Sequence, residues 1–239
     1  MHRLAAEKRR YEEASLKFGF AAVLLGLTMA GSAIAEDALQ PVAVADLCVT
    51  NGEISAVVGG RLRVETPSSR AVLRSLTDPV AEIAFRYLGP TAGEKPLASG
   101  ELRRQVGLKL RARDSCNLIY AMWRIEPDSR VVVSIKRNPG MTQHAECDAH
   151  GYTNLQPTAG AEPPSIAVGE EHRLRAKLSQ SQLTVTADGK VVWSGDLGPH
   201  SLELDGPVGM RSDNARFEFV YLAGSRTGSG ASCARSPEN

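Results

Sequence analysis

The feature that most constrains the fold is a series of short extended segments, separated by Gly, Pro, Asn and Asp, which fills the chain from Ala45 onward. Apolar and polar residues alternate within these segments, and no sustained helical periodicity appears among them. The pattern predicts an all-β protein. The clearest predicted strands are Val106 to Ala112, Leu118 to Ile125, Arg130 to Arg137, His172 to Leu178, Leu183 to Ala187, Val191 to Trp193 and Arg216 to Tyr221.

Two of the connections have the composition of β-hairpin turns. Glu126-Pro127-Asp128-Ser129 joins two β-rich segments, and Asp188-Gly189 supplies the positive-φ residues that a two-residue hairpin needs. Residues 138 to 171 are rich in Pro, Gly and Thr and are predicted to form one long loop.

Composition excludes several classes of protein. The chain has 239 residues, of which 42% are hydrophobic and 23% charged, and its formal net charge is +1. This composition is sufficient for one medium-sized core and differs from that of a disordered polyelectrolyte or a multipass membrane protein. A nearly neutral chain also argues against a surface built to bind nucleic acid, so we expect no nucleic-acid partner.

The N-terminus has the pattern of a secretory signal peptide. Basic residues up to Lys17 precede the apolar segment Phe18 to Ala30, and Ala33 and Ala35 fit the A-x-A cleavage pattern. An uncleaved membrane anchor is the alternative, but the apolar segment is short for a span of about 20 residues. We therefore predict a signal peptide at 1–35, a single domain at 36–223, a flexible tail at 224–239, and a secreted or periplasmic product without stable membrane insertion.

The cysteines favour disulfide bonds. All four, Cys48, Cys116, Cys147 and Cys233, lie after the predicted cleavage site, and an even number in an oxidising compartment is typical of disulfides. Three sets of pairings are possible. Cys48–Cys233 with Cys116–Cys147 fits the layout best, since the first predicted hairpin places Cys116 opposite about residue 139. The alternative is a metal site on His144, Cys147 and His150, which lacks a complete set of four ligands.

Several segments resemble those of a known superfamily. They are Gly206 to Phe219 (GPVGMRSDNARFEF), His172 to Arg175, Thr186 to Lys190, Val106 to Leu108, and Asp114 to Tyr120. Over roughly residues 100 to 222 the chain resembles concanavalin A-like lectin/glucanase domains. This resemblance implies a two-sheet antiparallel jelly-roll sandwich. The superfamily includes lectins, carbohydrate-binding modules, hydrolases, lyases and noncatalytic proteins, so function must be argued from the site. The paired-carboxylate E-x-D-x-x-E strand of its retaining glucanases is absent.

In such a sandwich one face of each strand packs into the core and the other can line a concave surface. Along three neighbouring predicted strands, side chains alternate between a set that faces the core and a set that faces the opposite side. The predicted core set is Leu108, Leu110, Ala112, Ile119, Ala121, Trp123, Ile125, Val131, Val133 and Ile135. The opposite set contains Met122 and Val132 together with the candidate ligand-binding residues Lys109, Arg111, Arg113, Tyr120, Arg124, Ser134 and Lys136. A register error of one residue would exchange the two sets.

The charge of these strands points to an anionic ligand. Between residues 102 and 137 nine basic residues accompany three acidic ones, a local charge of +6 in a nearly neutral chain. Guanidinium groups bind carboxylate and sulfate in bidentate geometry. We therefore predict binding of an anionic polysaccharide on a basic concave face. The alternative is a solvated face whose charges keep the sheet soluble.

A polysaccharide lyase is the main alternative function. β-Elimination from a uronic-acid polymer needs a cation, a base and an acid, and Arg124, Lys136, His144 and Tyr152 supply these residue types. Glu146 with Asp148 could instead serve acid/base hydrolysis. Asp213 and Asn214 resemble calcium ligands, but a turn leading into a strand explains them, so no metal is predicted. No cofactor is predicted either. Trp123 is expected in the core, and Trp193 could stack on a sugar. A structural envelope protein without a ligand is the remaining possibility.

Overall fold

The computed structural model describes residues 38–229, and within them nearly all regular structure is β. The strands are β1 (Gln40–Pro41), β2 (Leu47–Asn51), β3 (Ser55–Ala56), β4 (Leu62–Val64), β5 (Ser68–Leu73), β6 (Ser75–Thr77), β7 (Val80–Pro90), β8 (Arg104–Leu110), β9 (Leu118–Glu126), β10 (Arg130–Lys136), β11 (Tyr152–Leu155), β12 (Glu171–Ser179), β13 (Gln182–Ala187), β14 (Lys190–Asp196), β15 (Gly209–Asp213), β16 (Ala215–Ala223) and β17 (Arg226–Ser229). One α-helical turn, α1 (His144–Cys147), and the 3₁₀ turns Val44–Asp46, Val58–Gly60 and Pro199–Glu203 complete the described elements.

The strands form two large antiparallel sheets packed as a jelly-roll sandwich. The first sheet has the order β14-β13-β12-β7-β16-β4-β3, and β1 also pairs with β16. The second has the order β11-β10-β9-β8-β15-β5-β2 and is called the seven-stranded sheet below. β6 and β17 pair separately. The all-β, two-sheet jelly-roll fold expected from the sequence is therefore confirmed.

The core lies between the two sheets and is built from the alternate residues of each strand. Phe85, Phe217 and Phe219 of the first sheet are buried against Leu108 and Trp123 of the seven-stranded sheet. The rings of Phe85 and Trp123 meet edge to face, with centroids 5.9 Å apart. Because the long strands of the two sheets give one side to this core, their other side is turned outward.

The predicted strand faces agree with the structure except at the end of β8. Leu108, Ala121 and Val133 are fully buried in the core, as expected. The alternation fails at Arg111, whose positive φ of 46° ends the strand. Ala112, predicted to be in the core, instead packs with Leu118, Tyr120 and Met122 on the opposite face.

Both predicted hairpins form. β9 and β10 pair with Arg124 opposite Arg130, and β13 and β14 pair with Ala187 opposite Lys190. Asp188 and Gly189 have φ of 50° and 80°, as a two-residue turn of this kind requires. The segment predicted to be one long loop contains regular secondary structure, because α1 and β11 lie within it.

Cys116 and Cys147 form the predicted disulfide, and both are fully buried. Cys233 lies outside the described residues, so its pairing with Cys48 stays a prediction. The predicted signal peptide and its expected junction with the domain also lie outside them. The predicted tail begins differently from expectation, because residues 226–229 form a strand paired with β6. Within residues 38–229 no helix has the length and apolarity to cross a membrane.

Candidate functional site

The outward side of the seven-stranded sheet collects basic residues from several strands. We call this surface the basic face. It is built from Arg70 of β5, Gln105 and Lys109 of β8, Tyr120, Met122 and Arg124 of β9, Ser134 and Lys136 of β10, Tyr152 of β11, and Arg211 and Asp213 of β15. Six of these side chains are at most 6% exposed, namely Gln105, Lys109, Arg124, Ser134, Lys136 and Asp213. The face thus holds five cations and one carboxylate in a largely desolvated layer.

Two stacked tyrosines occupy the middle of the basic face. The rings of Tyr120 and Tyr152 are stacked with centroids 6.0 Å apart, and Arg211 lies over the Tyr120 ring at 5.2 Å. Nη1 of Arg211 also donates to the hydroxyl of Tyr152 at 3.3 Å. Burial raises the pKa of Tyr120 to about 12. Tyr152 is 40% exposed and offers an aromatic surface to a ligand.

Asp213 holds two arginines of the face in place. Its carboxylate accepts hydrogen bonds from Arg211 Nε at 2.8 Å and from Gln105 Nε2 at 2.7 Å, and Arg70 Nη2 lies 3.7 Å from Oδ1. Burial by itself would raise the pKa of this carboxyl, but Arg211 and Arg70 hold it below its ordinary value. Asp213 is therefore an ionised counter-charge for these two guanidinium groups.

Lys109 lies at the centre of this arrangement and is 4% exposed. Within the described chain its amino group makes no hydrogen bond or ion pair. Its pKa is held well below the ordinary lysine value, first by burial and then by the charges of Arg70 and Arg211. The face therefore contains a lysine to which the folded chain gives no acceptor.

Lys136 connects the basic face to the loop that carries α1. Its amino group donates to the backbone carbonyl of Asp148 at 2.6 Å and lies 5.2 Å from the centre of the Tyr152 ring. Burial, followed by the charges of Arg211 and Arg70, lowers the pKa of Lys136 to about 8. The Cys116–Cys147 disulfide fixes the same loop to the start of β9.

The remaining predicted ligand-binding arginines lie away from this centre. Arg111 donates to the carbonyl of Ser201 at 2.7 Å, and Arg113 bonds to Asp205 at 2.6 Å, so both hold the segment that contains the Pro199–Glu203 turn. Arg124 lies 3.3 Å from Glu101 and 3.6 Å from Asp128. Each of these three guanidinium groups already has an acceptor from the folded chain.

The four predicted catalytic residues do not all converge. Arg124 is opposite Arg130, six residues from Lys136 along β10, which is about 20 Å of extended chain. Lys136 and Tyr152 are together. The pKa of His144 is lowered by burial and then by the charges of Lys136 and Arg70, which places its ring near the same centre. Arg211, which the sequence analysis missed, occupies the position expected of Arg124.

The two other chemical interpretations of this loop are not supported by its contacts. Glu146 accepts hydrogen bonds from the backbone amides of Thr142 and Gln143, both at 2.8 Å, which lower the pKa of its carboxyl. It therefore caps α1 and is unsuited to be a proton donor. The metal set of His144, Cys147 and His150 is incompatible with the disulfide, because a bonded sulfur is not a thiolate ligand.

Neither tryptophan is available for stacking on a sugar. Trp123 is fully buried, as expected, and donates to Ser129 Oγ at 3.0 Å, while Trp193 is 1% exposed and also belongs to the core. Asn214 bonds to the backbone of Lys95 and Arg103 and holds the segment between β7 and β8 against the sheet. Its positive φ of 57° agrees with the turn predicted at this position.

Comparisons with known proteins support the fold and name no family. No family model and no curated protein sequence matches the chain. Among solved structures, the carbohydrate-binding module CBM66 from Bacillus subtilis is similar with a TM-score of 0.52 and 16% identity, over 73% of this chain and 91% of that one. A tetrameric galectin from the ball sponge Cinachyrella sp. is more distant, with a TM-score of 0.36 and 12% identity, over 69% of this chain and 94% of that one. At 16% identity the similarity to CBM66 shows a shared fold and nothing more.

Proposed function

We propose that the protein is an exported module, with residues 36–223 as one domain, that binds an acidic polysaccharide on the basic face. A single observation carries the proposal, namely that five cations and one carboxylate share a desolvated sheet face with two stacked tyrosines. Cationic side chains at low dielectric favour an anionic ligand, and an exposed aromatic ring favours a sugar. The fold shared with CBM66 and the resemblance to concanavalin A-like domains support the same function.

The test compares two arginines, one on each sheet. Arg70 lies on the basic face 3.7 Å from Asp213, and Arg86 lies on the outer face of the first sheet 3.7 Å from Glu171. Affinity for polygalacturonate, alginate and dextran sulfate is measured by calorimetry, with neutral dextran as the uncharged control. We expect Arg70→Ala to weaken binding to an acidic chain about tenfold, a loss of about 1.4 kcal/mol.

Arg86→Ala should leave that affinity unchanged and should remain sensitive to salt like the wild type. Equal losses in the two variants would place binding elsewhere on the molecule. If no polymer binds to the wild-type protein, the structural envelope protein becomes the better explanation.

A lyase is the second candidate, favoured by the contact between Arg211 and the hydroxyl of Tyr152. In β-elimination a base removes the C5 proton of a uronate, the C4–O bond breaks, a C4=C5 double bond forms and the leaving oxygen is protonated. Arg211 would neutralise the carboxylate, with His144 and Tyr152 as the proton-transfer groups. Incubation with acidic polymers should then produce the ultraviolet absorbance of unsaturated uronates, and Tyr152→Phe should abolish it. A flat absorbance trace with all polymers would leave binding alone.

A further inference from the structure

Lys109 differs from every other cation of the basic face in its partners. Arg211 and Arg70 share Asp213, Lys136 donates to backbone carbonyls, and Arg124 lies beside two carboxylates. Lys109 is the cation of the face to which the described chain offers no acceptor. Burial of an amino group without a hydrogen-bond partner costs free energy. Buried ionisable groups of this kind are common at functional sites, where a ligand or substrate supplies the partner.

The amino group of Lys109 also retains contact with solvent. Some buried polar atoms of the described chain, such as Nε of Arg124, are inaccessible to solvent and have no hydrogen-bond partner. The amino nitrogen of Lys109 has no partner either, but it does not belong to this inaccessible group of atoms. A small part of the Lys109 side chain therefore still meets solvent, where an incoming group can contact it.

The surroundings of Lys109 define the charge of that group. Lys109 lies beside Tyr120 of β9 and Gly209 of β15 in the sheet, and the charges that act on it come from Arg70, Arg211, Lys136 and Asp213. Three of these four neighbours are cationic. An oxyanion placed here would be attracted by the three cations, whose charge outweighs that of Asp213, and would supply the acceptor that Lys109 lacks.

We propose that Lys109 is the recognition point for one oxyanion of the bound sugar chain, either a carboxylate or a sulfate ester. This inference rests on the proposed function and makes it more specific. The other cations of the face orient the chain by their charge, whereas Lys109 forms a direct hydrogen bond to the acid group.

Binding of an anion should also change the protonation of Lys109. Burial and the neighbouring cations disfavour the charged form of Lys109 in the free protein. A bound anion reverses that electrostatic balance and raises the pKa of Lys109, so binding is accompanied by proton uptake at any pH between the free and bound values. Other titratable groups also face this region beside Arg70 and Arg211, namely Lys136, Tyr120, Tyr152, His144 and Asp213, and the pKa of Lys136 is already lowered to about 8. Uptake must therefore be assigned to Lys109 with variants.

The experiment measures affinity and proton uptake together by calorimetry in two buffers with different ionisation enthalpies. The ligands are polygalacturonate, its fully methyl-esterified form, dextran sulfate and neutral dextran. We expect Lys109→Met to bind the acidic chain at least tenfold more weakly than the wild type. We expect Lys109→Arg to bind with less proton uptake than the wild type, since arginine stays charged.

The ligands separate the two possible acid groups. Binding to polygalacturonate that is lost on esterification identifies a carboxylate, and binding to dextran sulfate alone identifies a sulfate ester. Undiminished affinity in Lys109→Met, or proton uptake in Lys109→Arg equal to that of the wild type, would overturn the inference while the loss in Arg70→Ala still supported the proposed function. A wild-type protein that binds none of the acidic chains would overturn both.

Discussion

The hydroxyl of Tyr152 accepts a hydrogen bond from Arg211 at 3.3 Å although three strands lie between β11 and β15. The tyrosine therefore extends inward from the edge strand over Tyr120, on which it stacks. This contact joins the edge of the seven-stranded sheet to its centre. It also puts a half-exposed aromatic ring above the most strongly cationic part of the basic face.

Replacements at Tyr152 should separate the ring from the hydroxyl. Tyr152→Ala removes the exposed aromatic surface and should lower the affinity for an acidic polysaccharide about tenfold, the upper part of the range for aromatic contacts. Tyr152→Phe keeps the ring and should bind within about threefold of the wild type. Calorimetry at fixed ionic strength measures both. Equal affinity for Tyr152→Ala and the wild type would show that the ring does not contact the ligand.

The stability of the protein should depend on the ionisation of Asp213. The pKa of this carboxyl is lower in the folded state than in the unfolded chain, so its contribution is complete above the unfolded value of about 3.9 and is lost as pH falls through the folded value. Asp213→Asn leaves Arg211 and Arg70 without their counter-charge and should cost about 3 kcal/mol at neutral pH. Urea unfolding across the acid range should show a shallower pH dependence in the variant. Parallel curves for variant and wild type would contradict this role.

Loss of the Cys116–Cys147 disulfide should destabilise the fold and release the loop that holds Lys136. The bridge spans 31 residues, and the chain-entropy relation gives about 4 kcal/mol for its contribution. The double replacement Cys116→Ala and Cys147→Ala avoids leaving buried thiols. Urea unfolding of this variant should show that loss. A difference below about 1 kcal/mol would mean that other contacts hold the loop.

Gly107 allows β8 and β9 to pack closely on the basic face. A Cβ atom there would lie 2.4 Å from the carbonyl oxygen of Ala121 and 2.7 Å from the Cα of Met122, both backbone atoms. Gly107→Ala should therefore destabilise the protein by about 1–3 kcal/mol. Gly228→Ala is the matched control, since its Cβ would meet only Leu76 at 3.8 Å. Thermal unfolding of the two variants should differ, and equal melting temperatures would refute the steric argument.

The sequence predicted the strands whose alternation is strong. β8, β9 and β10 are rich in branched and aromatic residues, so both their existence and their faces were correct up to Arg111. β7 was missed because its Ala, Glu, Arg and Leu residues also favour helices, which weakens the two-residue period. The buried face of a strand can be predicted from its sequence only where apolar residues dominate one face and polar residues the other.

The candidate site was predicted in part for a related reason. Lys109, Tyr120 and Lys136 lie on strands that the sequence revealed, whereas Arg70 and Arg211 lie on β5 and β15, which it did not. β15 is the short sequence GMRSD, in which buried polar residues hide the strand pattern. The available signal was the Arg-Ser-Asp-Asn segment, in which Arg211 and Asp213 share one face of a strand and bind each other.

The two outer faces of the sandwich differ in how their charges meet solvent. On the first sheet Glu82, Glu171 and Glu218 pair with arginines, and the side chains of Arg86 and Glu171 are 52% and 58% exposed. On the basic face Lys109, Lys136 and Asp213 are nearly buried. Water therefore surrounds the charges of the first sheet and weakens their attraction for ions, whereas an ion that reaches the basic face must give up part of its hydration shell.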